Sequence, residues 1–144
     1  MPGFNLRRHY PTEIEFWSTE EGYSEPCEVK AQLTLGVGPN TSNPLDWRVN
    51  SKVTFTAKAG KKTVARGSVA FVGFFDVPME MEEAKRQKFV AENGASILYA
   101  ATRELVANIT ARAPNKLITL PPTSFGGLNP DIKVAPTLVT AAKA

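Results

Sequence analysis

The chain has 144 residues and a net charge of +3, with 42% hydrophobic and 22% charged residues, which excludes a disordered or low-complexity chain. The sequence has no apolar run of the ~18 residues that cross a bilayer, and its first residues lack the apolar core of a secretory signal. We therefore expect one domain over residues 1–144 in the cytoplasm, without membrane insertion. Its ends, residues 1–12 and 129–144, are expected to be flexible.

The sequence offers few residues for a catalytic or metal site. Cys27 is its one cysteine and His9 its one histidine, so it has no pair for an intrachain disulfide and no Cys/His metal cluster. The phosphate-binding patterns GxGxxG and GxxxxGK[ST] are absent from it. We predict that the protein is not an enzyme and binds no metal or cofactor.

Alternation of apolar and polar residues predicts two long strands. It runs over residues 29–37 and residues 47–57, where the odd-numbered positions are mostly apolar. This pattern is typical of an antiparallel sheet with one buried face and one wet face. We predict a polar loop over residues 38–44 between these strands and a tight hairpin turn over residues 59–62 after them.

Two further strands and a helical region complete the expected fold. A third long strand covers residues 63–77, with a bulge predicted at Gly67, and a short edge strand covers residues 13–17. Helix formers fill residues 79–93. We therefore predict an α+β protein with a four-stranded antiparallel sheet packed by a long interrupted helix.

The interruption is predicted from capping residues. Asn93-Gly94 is a typical helix C-cap, and Ser96 suits the N-cap of a second helix. In that second helix one apolar stripe is predicted, made of Leu98, Ala101, Leu105 and Ile109. Residues 117–120 are predicted to form a short extended piece after the helix.

The predicted sheet has more apolar surface than one helix can cover. The third strand becomes apolar on both faces, with Phe71 and Phe75 on one face and Val72 and Phe74 on the other. The edge strand adds Ile14, Phe16 and Trp17. Such surface predicts a subunit interface, a groove for apolar polypeptide segments, or both. We therefore take as candidate peptide-binding residues Ile14, Phe16, Trp17, Phe71, Val72, Phe74 and Phe75.

Cations are concentrated in residues 47–75, which contain no acid. They predict a positive sheet face, and the candidate partner-docking residues on it are Arg48, Lys52, Lys58 and Arg66. An alternative function of another class is nucleic-acid binding through the basic hairpin of residues 47–68. Lysine on exposed strands also serves simply to block aggregation.

Three motifs, in order and at similar spacings, resemble the SecB family, the bacterial protein-export chaperones and their SecB-like relatives. They are residues 73–77 (GFFDV), 96–105 (SILYAATREL) and 118–125 (ITLPPTSF), and the resemblance spans about residues 10–128. It implies a four-stranded antiparallel sheet with a long helix on one face, and assembly as a dimer of dimers. The implied function is ATP-independent holding of unfolded polypeptides, as in protein export, without catalysis.

The chain also departs from the family pattern. Ala100 stands where the family has proline, which implies a straighter helix, and Gly126-Gly127 stands where a second helix usually walls the peptide groove. The family's exposed sheet face is acidic and docks the zinc-bearing tail of the SecA motor, whereas this chain has cations there. A basic tail would be repelled. The second prediction is therefore a SecB-like chaperone dedicated to one partner, such as an antitoxin.

Overall fold

The computed structural model describes residues 4–19, 27–111 and 118–121, and the backbone of residues 132–136. These described residues form one sheet and one helix, α1, which spans Glu83–Thr110. The sheet order is β1-β4-β3-β2-β5. The first four strands pair antiparallel, as predicted for an α+β fold, and β5 pairs parallel with β2. The strands are β1 (Asn5–Ser18), β2 (Cys27–Asn40), β3 (Asn43–Ala59), β4 (Lys62–Asp76) and β5 (Ile132–Pro136).

The predicted alternation decides which side chains form the core. In β3 the odd-numbered residues from Trp47 to Ala59 are buried, and those up to Ala57 pair with odd-numbered residues of β2 and β4 on the same face. The helix packs on this face, and its buried residues join the same apolar cluster. We call it the helix face and call the opposite side, with Lys52 and Thr54, the open face.

The predicted loop over residues 38–44 is wrong. Residues 38–40 belong to β2 and residues 43–44 to β3, so only a two-residue turn separates the strands. Asn40 Oδ1 accepts a hydrogen bond from the Ser42 backbone N–H at 2.8 Å, which closes that turn locally. The second hairpin turn, at Gly60, is confirmed, and Gly60 has the positive φ of 63° that such a turn requires.

The predicted edge strand is confirmed and is longer than expected, because β1 begins at Asn5. Most of the expected flexible arm, residues 5–12, is therefore paired with β4. Two register shifts, one of them beside Pro11, break the alternation in this segment and hide it from pattern analysis. Proline has no backbone N–H, and an edge strand tolerates it.

The predicted bulge at Gly67 is also wrong, because Gly67 pairs in register with Phe55 on one side and Phe16 on the other. A glycine is needed there for another reason. A Cβ atom at Gly67 would lie 2.6 Å from the Glu15 carbonyl oxygen and 2.7 Å from the Phe55 ring. The glycine therefore makes room for the Phe55 ring between strands.

The helix is continuous, so the predicted interruption at residues 93–96 is wrong. Gly94 lies inside α1 and faces Val49, where an added Cβ would come within 2.8 Å of the Val49 Cγ2 atom. It is a close-approach site and not a C-cap. Ser96 does not cap a helix either, since its hydroxyl donates to the Glu92 carbonyl oxygen one turn earlier at 3.1 Å.

The buried stripe of α1 is rotated by one position from the predicted one. Leu98 is buried as predicted, but the stripe continues through Thr102, Val106 and Thr110. The two threonines can be buried because each hydroxyl donates to the carbonyl oxygen four residues earlier, at 2.8 Å. A search for apolar residues at helical spacing does not find these two positions, because threonine is polar.

Residues 118–121 pack along the helix and not in the sheet. The Tyr99 hydroxyl donates to the Pro121 carbonyl oxygen at 2.6 Å, and Arg103 Nε donates to the Leu120 carbonyl oxygen at 3.0 Å. Burial raises the pKa of Tyr99, and the nearby Arg103 charge lowers it in part.

Strand β5, within the tail expected to be flexible, was not predicted; it extends the sheet beyond β2.

Candidate functional site

Strand β1 lies at one end of the sheet and pairs with β4 alone among the described strands. Three of its large apolar side chains are exposed: Tyr10 by 37%, Ile14 by 46% and Trp17 by 43%. An edge strand with exposed apolar side chains offers both backbone hydrogen-bonding groups and apolar contact to an extended chain. We call this strand and its exposed side chains the β1 edge.

The two faces of the β1 edge differ. Ile14 pairs with Val69 and Phe16 with Gly67, which places both side chains on the helix face. There the Phe16 ring stacks on Phe55 with 6.4 Å between centroids. Together with Val106 and Ile109 of α1, these residues line a shallow apolar depression. The edge therefore has an apolar shoulder beside the helix.

On the open face the β1 edge combines aromatic and cationic groups. Trp17 pairs with Arg66, and the Arg66 guanidinium lies 4.7 Å from the centroid of the Trp17 ring. Similarly, the Arg8 guanidinium lies 4.9 Å from the centroid of the Tyr10 ring. Such cation–π contacts at exposed sites stabilise these ring positions by about 0.5–1 kcal/mol each.

The four candidate residues of β4 are buried in the protomer. Phe71 and Phe75 point to the helix face and belong to the core, whereas Val72 and Phe74 lie on the open face, as the alternation predicted. Their role in peptide binding stays a prediction. A bound chain would reach them only if the side chains around them moved.

Arginines explain why Phe74 is buried without a helix above it. The guanidinium carbons of Arg7, Arg8 and Arg48 lie 6.0, 5.8 and 5.8 Å from the centroid of the Phe74 ring. Arg7 is held there by Asp46 and by Asp76, the latter at 3.1 Å. The sequence interpretation missed this arginine cluster because it treated residues 1–12 as an arm. The sequence feature that could have revealed the cluster is the basic pair Arg7-Arg8 close to Tyr10.

The four candidate docking cations all lie on the open face of β3 and β4. Lys52, Lys58 and Arg66 are exposed, and Arg48 is half-buried beside Phe74, with Nε donating to Asn50 Oδ1 at 3.1 Å. The structure thus places them along one surface. Their role in docking a partner stays a prediction.

In the described part of the chain, no three His, Cys, Asp or Glu residues come together as a metal site. Nor is any helix of that part long and apolar enough to span a membrane.

An antiparallel four-stranded sheet with one long helix on one face is the fold of SecB-like chaperones. A SecB-like chaperone from Mycobacterium tuberculosis, solved in complex with a peptide from an antitoxin, superposes with a TM-score of 0.71 at 18% identity, over 85% of this chain and 91% of that one. A Streptococcus agalactiae protein of unknown function matches with a TM-score of 0.48 at 13% identity, over 82% of this chain and 96% of that one.

The family follows from the sequence match. Residues 1–131 match the model of the preprotein translocase subunit SecB, so the chain belongs to the SecB family. The family and the fold support the predicted class of function, a holdase chaperone.

Proposed function

We propose that this chaperone holds unfolded polypeptides, its clients, at the β1 edge, and that it does so without nucleotide or catalysis. The observation that carries the proposal is the combination of a strand at the end of the sheet with exposed Tyr10, Ile14 and Trp17. Unfolded chains present unpaired backbone groups and apolar side chains. A receptor for them needs both features on one surface.

The geometry of the β1 edge favours an extended client. Because side chains alternate between faces, a client strand beside β1 would place alternate side chains near Ile14 on the helix face and near Trp17 on the open face. Backbone hydrogen bonds are independent of sequence, so they suit a chaperone with many clients. Apolar burial then adds affinity without requiring a precise motif.

Assembly is part of the proposal. The exposed apolar side chains of the β1 edge support a homo-oligomer, which we propose to be a dimer of dimers. Light scattering should give the mass of two or four chains, and a monomer of 15.7 kDa at micromolar concentration would contradict it. The cytoplasmic location predicted from the sequence stays a prediction.

A chaperone dedicated to one partner is the second candidate. The Mycobacterium tuberculosis relative is bound to an antitoxin peptide, and the cations of the open face would repel a basic SecA tail. Two unrelated denatured proteins distinguish the candidates. A general holdase prevents the aggregation of both, whereas a dedicated chaperone prevents neither and protects one partner of its own.

The client site is tested with a double variant, Ile14→Ser with Trp17→Ser, in an aggregation assay without nucleotide. We expect about tenfold more protein to be needed to keep the client in solution, because two apolar contacts are lost. The matched control is Met79→Ser, since Met79 is 74% exposed but lies outside β1.

The outcome is read together with the mass of each variant, so that a change in assembly is separated from a change in client binding. Equal activity of the double variant and the control, at unchanged mass, would place the client site elsewhere.

A further inference from the structure

We propose that the open face of the sheet is a second docking surface, which adjoins the β1 edge at Trp17, and that its ligand is an acidic segment of a partner polypeptide. The surface consists of two adjoining depressions, of about 320 and 540 Å³, which share Thr54 and Thr56 of β3. The helix packs on the opposite face, and Lys52, Thr54 and Lys58 are exposed.

The register of the strands builds a polar floor between the cations. Thr54 lies opposite Gln32 of β2 and Ser68 of β4, and Thr56 lies opposite Lys30 and Arg66. Hydroxyl, amide and ammonium groups therefore stand side by side across three strands. Each of these groups can donate a hydrogen bond to a carboxylate, and bonds to a charged acceptor are the stronger ones.

The lysines of this floor are available for a ligand. Among the described residues, neither Lys52 nor Lys58 forms an ion pair with an acid. Glu28, opposite Lys58 in the smaller depression, is paired with Lys30 at 3.9 Å, and Glu15 lines the larger depression. An acidic ligand would therefore place its carboxylates at the two lysines and neutral residues beside the two glutamates. Lys52 lines the larger depression and Lys58 the smaller one. Two cations without an ion-pair partner in the described part of the chain attract an anionic partner by charge complementarity.

The spacing of the lysines fits an extended polypeptide. Lys52 and Lys58 are six positions apart in β3, which corresponds to about 20 Å along a strand. An extended peptide spans the same distance with about six residues, and its alternate side chains point to one side. Acidic residues at every second position would therefore meet the lysines and the hydroxyl groups between them.

A nucleic acid fits this face less well than an acidic peptide. Glu13 and Glu15 of β1 lie on the open face, opposite Ala70 and Ser68, and would repel a continuous row of phosphates. Proteins that bind single strands stack successive bases on several exposed aromatic rings, whereas Trp17 is the one exposed aromatic side chain among the described residues that line the two depressions. A polypeptide can place neutral residues beside these glutamates, which a phosphate backbone cannot do.

The experiment measures binding of a fluorescent peptide in which glutamate and serine alternate, by fluorescence anisotropy. The test variant is Lys52→Glu with Lys58→Glu, and the matched control is Lys85→Glu with Lys88→Glu, which makes the same charge change on α1. We expect affinity to fall by about tenfold or more in the test variant and less than about twofold in the control. Binding should also weaken with added salt.

Three results would overturn the proposal: absence of binding, an equal loss in the test and control variants, or stronger binding of an oligothymidylate of the same charge. The last would make the open face a nucleic-acid interface. Client holding at the β1 edge should be unchanged in the test variant. A failure of this proposal is therefore distinguishable from a failure of the holdase function.

Discussion

The two faces of the sheet cover neighbouring phenylalanines in different ways. Phe75, on the helix face, is fully buried, and Phe4 stacks on it with 5.4 Å between ring centroids. Phe74, on the open face, is buried under three arginines that remain in contact with solvent or with carboxylates. Burial by apolar packing excludes water permanently, whereas burial by long charged side chains leaves a surface that a ligand can reshape.

The stable core and the proposed binding surfaces also lie on different parts of the sheet. The helix face supplies stability, since its residues form one continuous core from β2 to α1. The open face and the β1 edge keep exposed aromatic, hydroxyl and cationic groups. Both proposed binding surfaces lie where the helix does not cover the sheet.

The largest expected effect compares the two phenylalanines. Phe75→Ala should lower the free energy of unfolding by about 3–5 kcal/mol, because it leaves a cavity in the core. Phe74→Ala should cost about 1–3 kcal/mol, since the arginine side chains can close over the gap. Trp17→Ala, on an exposed side chain, should cost less than about 1 kcal/mol. Urea unfolding measures all three.

This ranking revises what the sequence suggested for Phe74, which was expected to lie at an exposed surface. Equal costs for Phe74→Ala and Phe75→Ala would mean that the arginine cover is as rigid as the helix. No cost for Phe74→Ala would mean that the cover is open in solution.

A smaller effect is expected where the helix approaches the sheet. Gly94→Ala should destabilise the protein by about 1–3 kcal/mol although alanine favours helices, because its Cβ would collide with Val49. Adding Val49→Ala should recover part of the loss in a double-mutant cycle. Stabilisation by Gly94→Ala alone would show that α1 can move away from β3 without cost.

The smallest effect is the pH dependence of the Tyr99 contact. Since burial raises the pKa of Tyr99 above its ordinary value of 10.0, the neutral form is favoured in the folded state. Its contribution is complete below pH 10.0 and is lost as the pH rises through the higher folded value. Tyr99→Phe should cost about 0.5–1.5 kcal/mol near neutral pH.

The same variant should flatten the fall in stability at alkaline pH, measured by urea unfolding at a series of pH values. A titration of the variant followed by ultraviolet absorbance should show one ionising tyrosine fewer than the parent protein. This result would identify Tyr99 as the group that causes the fall in stability. An unchanged alkaline slope in Tyr99→Phe would show that another group controls it.

Local pattern was sufficient for the strands that carry regular alternation. The apolar positions of β2 and β3 identified the helix face residue by residue, because side chains alternate strictly along a strand. The same rule separated Phe74 from Phe75 and placed Arg48, Lys52, Lys58 and Arg66 on the open face. The motifs spread along the chain identified the family.

The β1 edge could be predicted only in part. Ile14, Phe16 and Trp17 were recognised, but Tyr10 and the arginines were missed because two register shifts and Pro11 interrupt the pattern. Pairing with β4 keeps the segment in the sheet in spite of its weak local signal. Strand propensity depends strongly on such partners.

What the sequence by itself determined is therefore the set of residues on each face and the class of the protein. The tertiary structure alone decided what covers each face. Gly94 lets α1 pack closely on Val49 of β3, and the arginines from β1 and β3 close over Phe74. These contacts join residues that are tens of positions apart in the chain. No local periodicity records them, because their energy exists only when the strands and the helix are already side by side.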